Sequence, residues 1–173
     1  MRTVCLYFIL IVMVFIVAGC GYRNPNVYSG PSKIIYLNEW KNRTSQLGLD
    51  SQIYRSLTSW FQKTDAITTV RKKAGADLIL AGEIISIDLP SLSYANNSQT
   101  TQVKVKLKVR YILKDITSNK IVFEMPGELW TEPYLVSTNV NTNRKNEAIA
   151  LETIIEDISK RIYRLTVLEL PKL

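Results

Sequence analysis

The chain has 173 residues, a formal net charge of +7 and no histidine. The missing histidine removes the commonest general base and the commonest zinc ligand, so any metal site would have to be built mainly from carboxylates. The positive charge favours anionic partners.

The N-terminus has the organisation of a bacterial lipoprotein signal. Arg2 precedes an apolar run, Val4–Val17, that is too short to cross a bilayer as a helix. The run leads into a lipobox that ends at Cys20, with small residues that give a peptidase access to the bond before the cysteine. We therefore expect residues 1–19 to be a signal peptide, and Cys20 to carry a diacylglyceryl group and an N-acyl chain. The alternatives are an ordinary signal peptide or a membrane anchor helix.

The residues around the expected cleavage site predict where the protein goes. Gly21 stands where an aspartate would favour retention in the inner membrane, so we expect an outer-membrane protein held on the periplasmic face by its acyl chains. Cys5 leaves with the signal, so no disulfide is expected. In the periplasm the basic charge favours lipopolysaccharide phosphates, acidic lipids and cell-wall polymers, and we expect no nucleic-acid partner. Residues 20–32 predict a flexible lipidated tether, and residues 33–173 a single domain.

The first half of the domain predicts a strand, a helix and two further strands. Lys33–Leu37 is a short apolar strand, and a helix is expected from near Ser45 to near Lys63. Ile67–Val70 is a brief strand, and Leu78–Leu89 is a long strand with apolar residues on both faces at its start, which favours a central position. Pro90–Thr101 is a polar loop. The helix has one apolar stripe, formed by Leu49, Ile53, Leu57, Trp60 and Phe61.

The second half predicts two strands and a long helix. Gln102–Lys114 alternates apolar and basic side chains, which is typical of a strand with one buried and one exposed face. Ile121–Trp130 is the last strand, and Pro126-Gly127 within it indicates a bulge or an edge position. Thr131–Thr142 reads as a polar loop. A helix is expected over Asn143–Thr166, with an apolar stripe at Ala148, Leu151, Ile155, Ile158, Ile162 and Leu165.

The element order β-α-β-β-β-β-α predicts a two-layer α+β fold. Two amphipathic helices both need apolar surface, and the strand over residues 102–114 offers only one apolar face. The simplest arrangement places both helices on one face of a small, mixed and mostly antiparallel sheet. The opposite face would then present the basic side chains to water or to a partner.

That basic row is the candidate binding site. Four alternate side chains of one strand, which would span roughly 20 Å, suit a ligand with several phosphates because each contact is a charge-assisted hydrogen bond. The alternative is a solvated strand face whose lysines discourage pairing with other sheets. The row consists of Lys104, Lys106, Lys108 and Arg110.

The chain carries no recognisable catalytic motif, and we expect neither enzymatic activity nor a cofactor or metal beyond the covalent lipid. Glu83 and Asp88 are five residues apart on one strand, so they should point to opposite faces. Glu124 and Glu128 would share a face if no bulge intervened, but an exposed strand face explains them better than an acid–base pair. The three tryptophans are expected in the core or at an interface rather than as sugar-stacking platforms.

Several short motifs in order resemble one known family. They are the lipobox with Gly19-Cys20-Gly21-Tyr22, then Asn42-Arg43-Thr44, then Gly48-Leu49, then Ala76-Asp77-Leu78-Ile79-Leu80-Ala81-Gly82-Glu83-Ile84, and finally Glu147-Ala148. Together these resemble the lipopolysaccharide-assembly lipoprotein family LptE, in a divergent branch. The resemblance implies two helices on one side of a small mixed sheet, no enzymatic activity, lipopolysaccharide binding and assembly with the LptD-type outer-membrane β-barrel.

A second resemblance stays open. The strand-helix-strand pattern followed by Ala76-Asp77-Leu78 is also similar to outer-membrane lipoproteins that activate cell-wall synthases or serve curli secretion. Those usually carry an extra helical segment between the second and third strands. Only Arg71–Gly75 stands there in this chain, too short for a helix. The alternative function is therefore regulation of a cell-wall synthase or of another secretion channel.

Overall fold

The computed structural model describes Tyr28, residues 30–90 and residues 101–172. The predicted signal peptide, Cys20 and most of the predicted tether and polar loop lie outside the described residues. In the described part of the chain, no helix is both long and apolar enough to cross a membrane. The elements are β1 Lys33–Leu37, β2 Lys41–Asn42, α1 Leu49–Phe61, β3 Ile67–Val70, β4 Leu78–Asp88, β5 Thr101–Asp115, β6 Ile121–Val136 and α2 Val140–Glu169, followed by a short 3₁₀ turn, Leu170–Lys172.

The strands form one mixed sheet in the order β3-β1-β4-β5-β6. β1 runs parallel to both β3 and β4, whereas β4, β5 and β6 are antiparallel neighbours. The two-residue strand β2 also pairs in parallel with β4, beyond the end of β1. The long strand β4 therefore has a central position, as predicted.

Both helices cover one face of this sheet, and the predicted two-layer α+β fold is confirmed. α2 runs back along β6, and α1 packs against α2 and against the β3 side of the sheet. The apolar side chains of the covered face are fully buried, among them Leu80, Leu107 and Val109. The other face of β5 carries the exposed basic residues, so the alternation in β5 placed the core correctly.

Local hydrogen bonds explain why the helices begin away from the predicted residues. α1 begins at Leu49 rather than near Ser45 because Asn42 orders the preceding segment: its Oδ1 accepts from the Thr44 backbone N–H at 2.9 Å. Gly48, with φ of 82°, then supplies the left-handed conformation that leads into the helix. α2 begins three residues early because the Asn139 side chain accepts from the backbone N–H groups of the first turn.

The largest difference from the sequence prediction is the length of β6. The segment 131–136 was predicted as part of a polar loop, but it continues the edge strand to Val136. Tyr134 and Val136 point toward the core and are buried. The segment therefore alternates between buried and exposed residues, but its many polar residues hide this alternation in the sequence. The bulge or edge position expected at Pro126-Gly127 is confirmed on both counts, because β6 is an edge strand and its register with β5 shifts at that point.

Candidate anion-binding face of the sheet

The four basic side chains predicted as a row lie together on the sheet face opposite the helices, which we call the basic face. Lys104, Lys106, Lys108 and Arg110 are all exposed, while the alternate residues between them are buried. Adjacent members of the row are separated by about 6.8 Å because alternate residues of a strand point the same way. The geometry thus permits one extended ligand to meet all four.

Two members of the row are already paired with carboxylates of β4. Lys106 Nζ lies 2.9 Å from Asp88 Oδ2. Arg110 forms an ion pair with Glu83 through its guanidinium group. Both carboxylates lie directly opposite their partners in the β4–β5 register.

The prediction that Glu83 and Asp88 point to opposite faces is wrong. The β4–β5 register shifts between Ile84 and Ser86, which inserts one extra residue into β4. An extra residue reverses the alternation beyond it, so both carboxylates emerge on the basic face. The bulge thereby places two negative charges against the row and removes much of its net positive charge.

Glu83 is the centre of the most buried charge cluster on this face. It is 4% exposed, forms ion pairs with two guanidinium groups, those of Arg43 and Arg110, and accepts a hydrogen bond from Arg110. Both arginines are themselves about half or more exposed. Lys41 is the neighbour of Glu83 across the β2–β4 pair. A buried carboxylate needs such partners, since an isolated buried charge is very costly. Arg110 is therefore a structural partner of Glu83 rather than a free cation.

Lys104 and Lys108 are the two members of the row that form no ion pair within the described residues. They are four residues apart, which corresponds to roughly 14 Å along the strand. Lys108 also lies across the β6 bulge: its Cε is 3.3 Å from the position that a Cβ at Gly127 would occupy. Glycine at that position leaves room for the lysine stem.

Apolar side chains of β6 line the same face beside these two lysines. Leu129 lies opposite Lys108, and Pro133 lies opposite Lys104. Leu129 and Leu135 are 61% and 55% exposed. The basic face therefore combines unpaired ammonium groups with an exposed apolar row. The sequence did not reveal this row, because residues 131–136 looked like a loop and the register of β6 was unknown.

The carboxylates considered as an acid–base pair do not meet. Glu124 lies opposite Ile112 on the basic face, whereas Glu128 lies opposite Val109 on the covered face, because the bulge at Pro126-Gly127 separates them. Glu128 instead accepts a hydrogen bond of 2.7 Å from the Tyr111 hydroxyl. Burial, together with this carboxylate, raises the pKa of Tyr111 well above its usual range, so the hydroxyl stays a donor.

A sequence model of the LptE family, described as lipopolysaccharide-assembly, matches residues 32–166. That match spans most of the chain. The chain belongs to the LptE family. None of the curated protein sequences matches this chain.

Solved structures with low sequence identity share the LptE-like fold. A protein of Xanthomonas campestris has a TM-score of 0.57 at 10% identity, and the match covers 83% of this chain and 90% of that chain. A hypothetical protein of Chlamydia trachomatis has a TM-score of 0.51 at 12% identity, covering 76% of this chain and 96% of that one. A putative lipoprotein of Caulobacter crescentus has a TM-score of 0.51 at 9% identity, covering 78% and 91%. At such identities these matches show the fold alone.

The motif residues that resemble the LptE family mostly hold the sheet together. Asp77 Oδ2 accepts from the Ile34 backbone N–H at 2.8 Å, which fixes the start of β4 against β1. Glu83 binds Arg43, the middle residue of the Asn-Arg-Thr motif. The Tyr134 hydroxyl donates to Glu147 at 3.1 Å and so ties β6 to α2. Burial and this carboxylate raise the pKa of Tyr134 to about 12.

The short link between β3 and β4 favours the resemblance to the LptE family over the second resemblance. Residues 71–77 form bends and a turn without a helix.

The three tryptophans lie in or against the core, as predicted: Trp40 is buried in the core, and Trp60 and Trp130 pack against it.

Gly82 in the longest LptE-like motif is required by the close approach of Trp40. A methyl group at Gly82 would overlap the indole ring, so Gly82→Ala is expected to lower the free energy of unfolding by about 1–3 kcal/mol. Urea denaturation measures this. Gly127→Ala is the matched control, because only the flexible end of Lys108 lies near that position. Equal losses at the two glycines would contradict the overlap, as would an undiminished loss in a Trp40→Leu background.

Proposed function

We propose that this LptE-family protein is acylated on Cys20, faces the periplasm from the outer membrane, and binds lipopolysaccharide through its basic face during assembly with an LptD-type β-barrel. The observation that carries the proposal is the composition of that face. Lys104 and Lys108 have no ion-pair partner in the described chain, and Leu129 and Leu135 lie exposed on the neighbouring strand.

An anionic amphiphile fits both parts of this face. Phosphate groups form short, charge-assisted hydrogen bonds with ammonium groups. Acyl chains gain free energy when they cover exposed apolar side chains, at about 25 cal/mol per Å² removed from water. A soluble polyanion would use the lysines and leave the leucines in water. The basic face therefore favours a phosphorylated lipid over a cell-wall polymer.

The barrel partnership is proposed from the family and from the surfaces that the fold leaves free. Most of the apolar stripes of α1 and α2 are buried in the core, with Ile53, Leu57, Ile158 and Ile162 fully buried, whereas Ala148 of the predicted α2 stripe is exposed. We therefore expect a partner to contact the exposed sheet face and the polar loops more than the helix stripes.

Co-purification tests the partnership. The tagged full chain, extracted in mild detergent from cells with a functional barrel, is expected to bring down a large outer-membrane β-barrel of the LptD type. A protein that stays alone under these conditions contradicts the proposal.

Depleting the protein from cells separates the proposal from the alternative function. Loss of mature lipopolysaccharide at the surface supports the proposal, whereas a wall-synthesis defect with normal lipopolysaccharide supports regulation of a cell-wall synthase.

The lipid anchor is tested at Cys20. Cys20→Ala is expected to accumulate as an unprocessed precursor without acyl chains, because no other thiol stands at the lipobox. Metabolic labelling with a fatty acid measures the result. Cys5→Ala is the matched control and should be processed and labelled like the parent. Label retained in Cys20→Ala would place the lipid elsewhere.

A further inference from the structure

A polar cleft opens at the end of β1, away from the row of lysines. It forms because the chain leaves the sheet between β1 and β2, and the Trp40 side chain turns inward against Gly82. The first two turns of α1 and the residue after β3 complete the walls. The cleft has a volume of about 700 Å³, within the range of small-molecule sites. Its polar lining includes Asn38, Glu39, Asp50, Tyr54, Arg55 and Arg71.

The cleft is lined by charged side chains that form no ion pair within the described residues. Within the described residues, Arg55 and Arg71 form no ion pair, and neither do Asp50 and Glu39. Single charged side chains without an ion pair are common on protein surfaces. Here positively and negatively charged side chains line the same cleft. Unpaired donors and acceptors in one cleft suit a ligand that itself offers both.

Two of the lining side chains are held in place before any ligand arrives. The Arg71 guanidinium lies 5.3 Å from the centre of the Tyr54 ring, a cation–π contact that limits its motion. Asn38 Oδ1 accepts from the Tyr36 hydroxyl and from the Glu39 backbone N–H, both at 3.0 Å. The Asn38 oxygen is thus occupied, and its amide NH₂ group remains available as a donor.

We propose that this cleft binds an oligosaccharide that carries an isolated anionic group. The guanidinium groups of Arg55 and Arg71 suit a phosphate or a carboxylate, which they can meet with two parallel hydrogen bonds. Asp50, Glu39 and the Asn38 amide suit the hydroxyl groups of sugar rings, which both donate and accept. The two carboxylates oppose a dense polyanion, so the anionic groups of the ligand must be sparse. This site is separate from the basic face and does not depend on the function proposed above.

The direct test is titration of the detergent-solubilised, acylated full chain by isothermal calorimetry. The probes are a phosphorylated, delipidated core oligosaccharide of lipopolysaccharide, a soluble muramic-acid glycan and inorganic phosphate. One glycan should bind, and its identity tells whether the anionic sugar comes from lipopolysaccharide or from the cell wall. Arg55→Gln with Arg71→Gln is expected to weaken that binding by about tenfold or more.

The matched control is Lys72→Gln with Lys73→Gln, which removes the same charge from exposed residues that do not line the cleft. It should bind the glycan like the parent. Failure of both glycans to bind overturns the proposal, as does an equal loss in the lysine control. Displacement of the glycan by an equal concentration of inorganic phosphate also overturns it, since the sugar would then contribute nothing.

Discussion

Replacing Lys104 and Lys108 together with glutamine is expected to weaken lipopolysaccharide binding by about tenfold or more. These two ammonium groups have no carboxylate partner in the described chain, so a phosphate need not displace one. The fold should persist, because Val105, Leu107 and Val109 keep the other face of the strand in the core. Binding measured at several salt concentrations should also lose most of its salt dependence.

Two further variants separate specific contacts from general charge. Lys120→Gln with Lys145→Gln changes the same charge at exposed residues of the hairpin and of α2, and should bind like the parent. Lys106→Gln with Arg110→Gln should lose less than the Lys104 and Lys108 pair, because both side chains are already committed to β4 carboxylates. If the Lys104 and Lys108 variant binds as tightly as the parent at every salt concentration, the row is a solvated strand face.

The sequence predicted the parts of this fold that depend on simple periodicity. The alternation in β5 identified the buried face and the basic face, because every second side chain of a strand points the same way. The apolar stripe of α1 identified Leu49, Ile53, Leu57 and Phe61, all of which are buried. Both patterns depend only on the spacing of residues along the chain, and the tertiary packing buries the same side chains.

Features set by the register between strands could not be predicted. The bulge in β4 has no glycine or proline to mark it, yet it moves Asp88 to the same face as Glu83. That one inserted residue decides which lysines of the candidate site are paired. The exposed leucines beside Lys104 and Lys108 depend in the same way on the pairing of β5 with β6. The sequence of β5 alone therefore could not show the carboxylates of β4 and the leucines of β6 that surround the candidate site.

The second large effect is expected at the ion pairs of Glu83. Arg43→Met with Arg110→Met should lower the free energy of unfolding by about 3 kcal/mol at neutral pH. The double substitution keeps two long side chains but leaves a carboxylate that is 4% exposed without either guanidinium partner. Lys41, across the β2–β4 pair, offers only partial compensation from an exposed position. Urea denaturation of the parent and the variant measures the difference.

A third substitution shows whether the loss comes from the buried charge. Adding Glu83→Gln to the double variant should restore most of the stability, since a neutral amide is far cheaper to bury than an unpaired carboxylate. A triple variant as unstable as the double variant would assign the loss to the arginine stems instead. Glu83→Gln alone should release Arg110 toward the row and strengthen lipopolysaccharide binding. The carboxylate that stabilises the sheet would then also limit the charge that the basic face offers to its ligand.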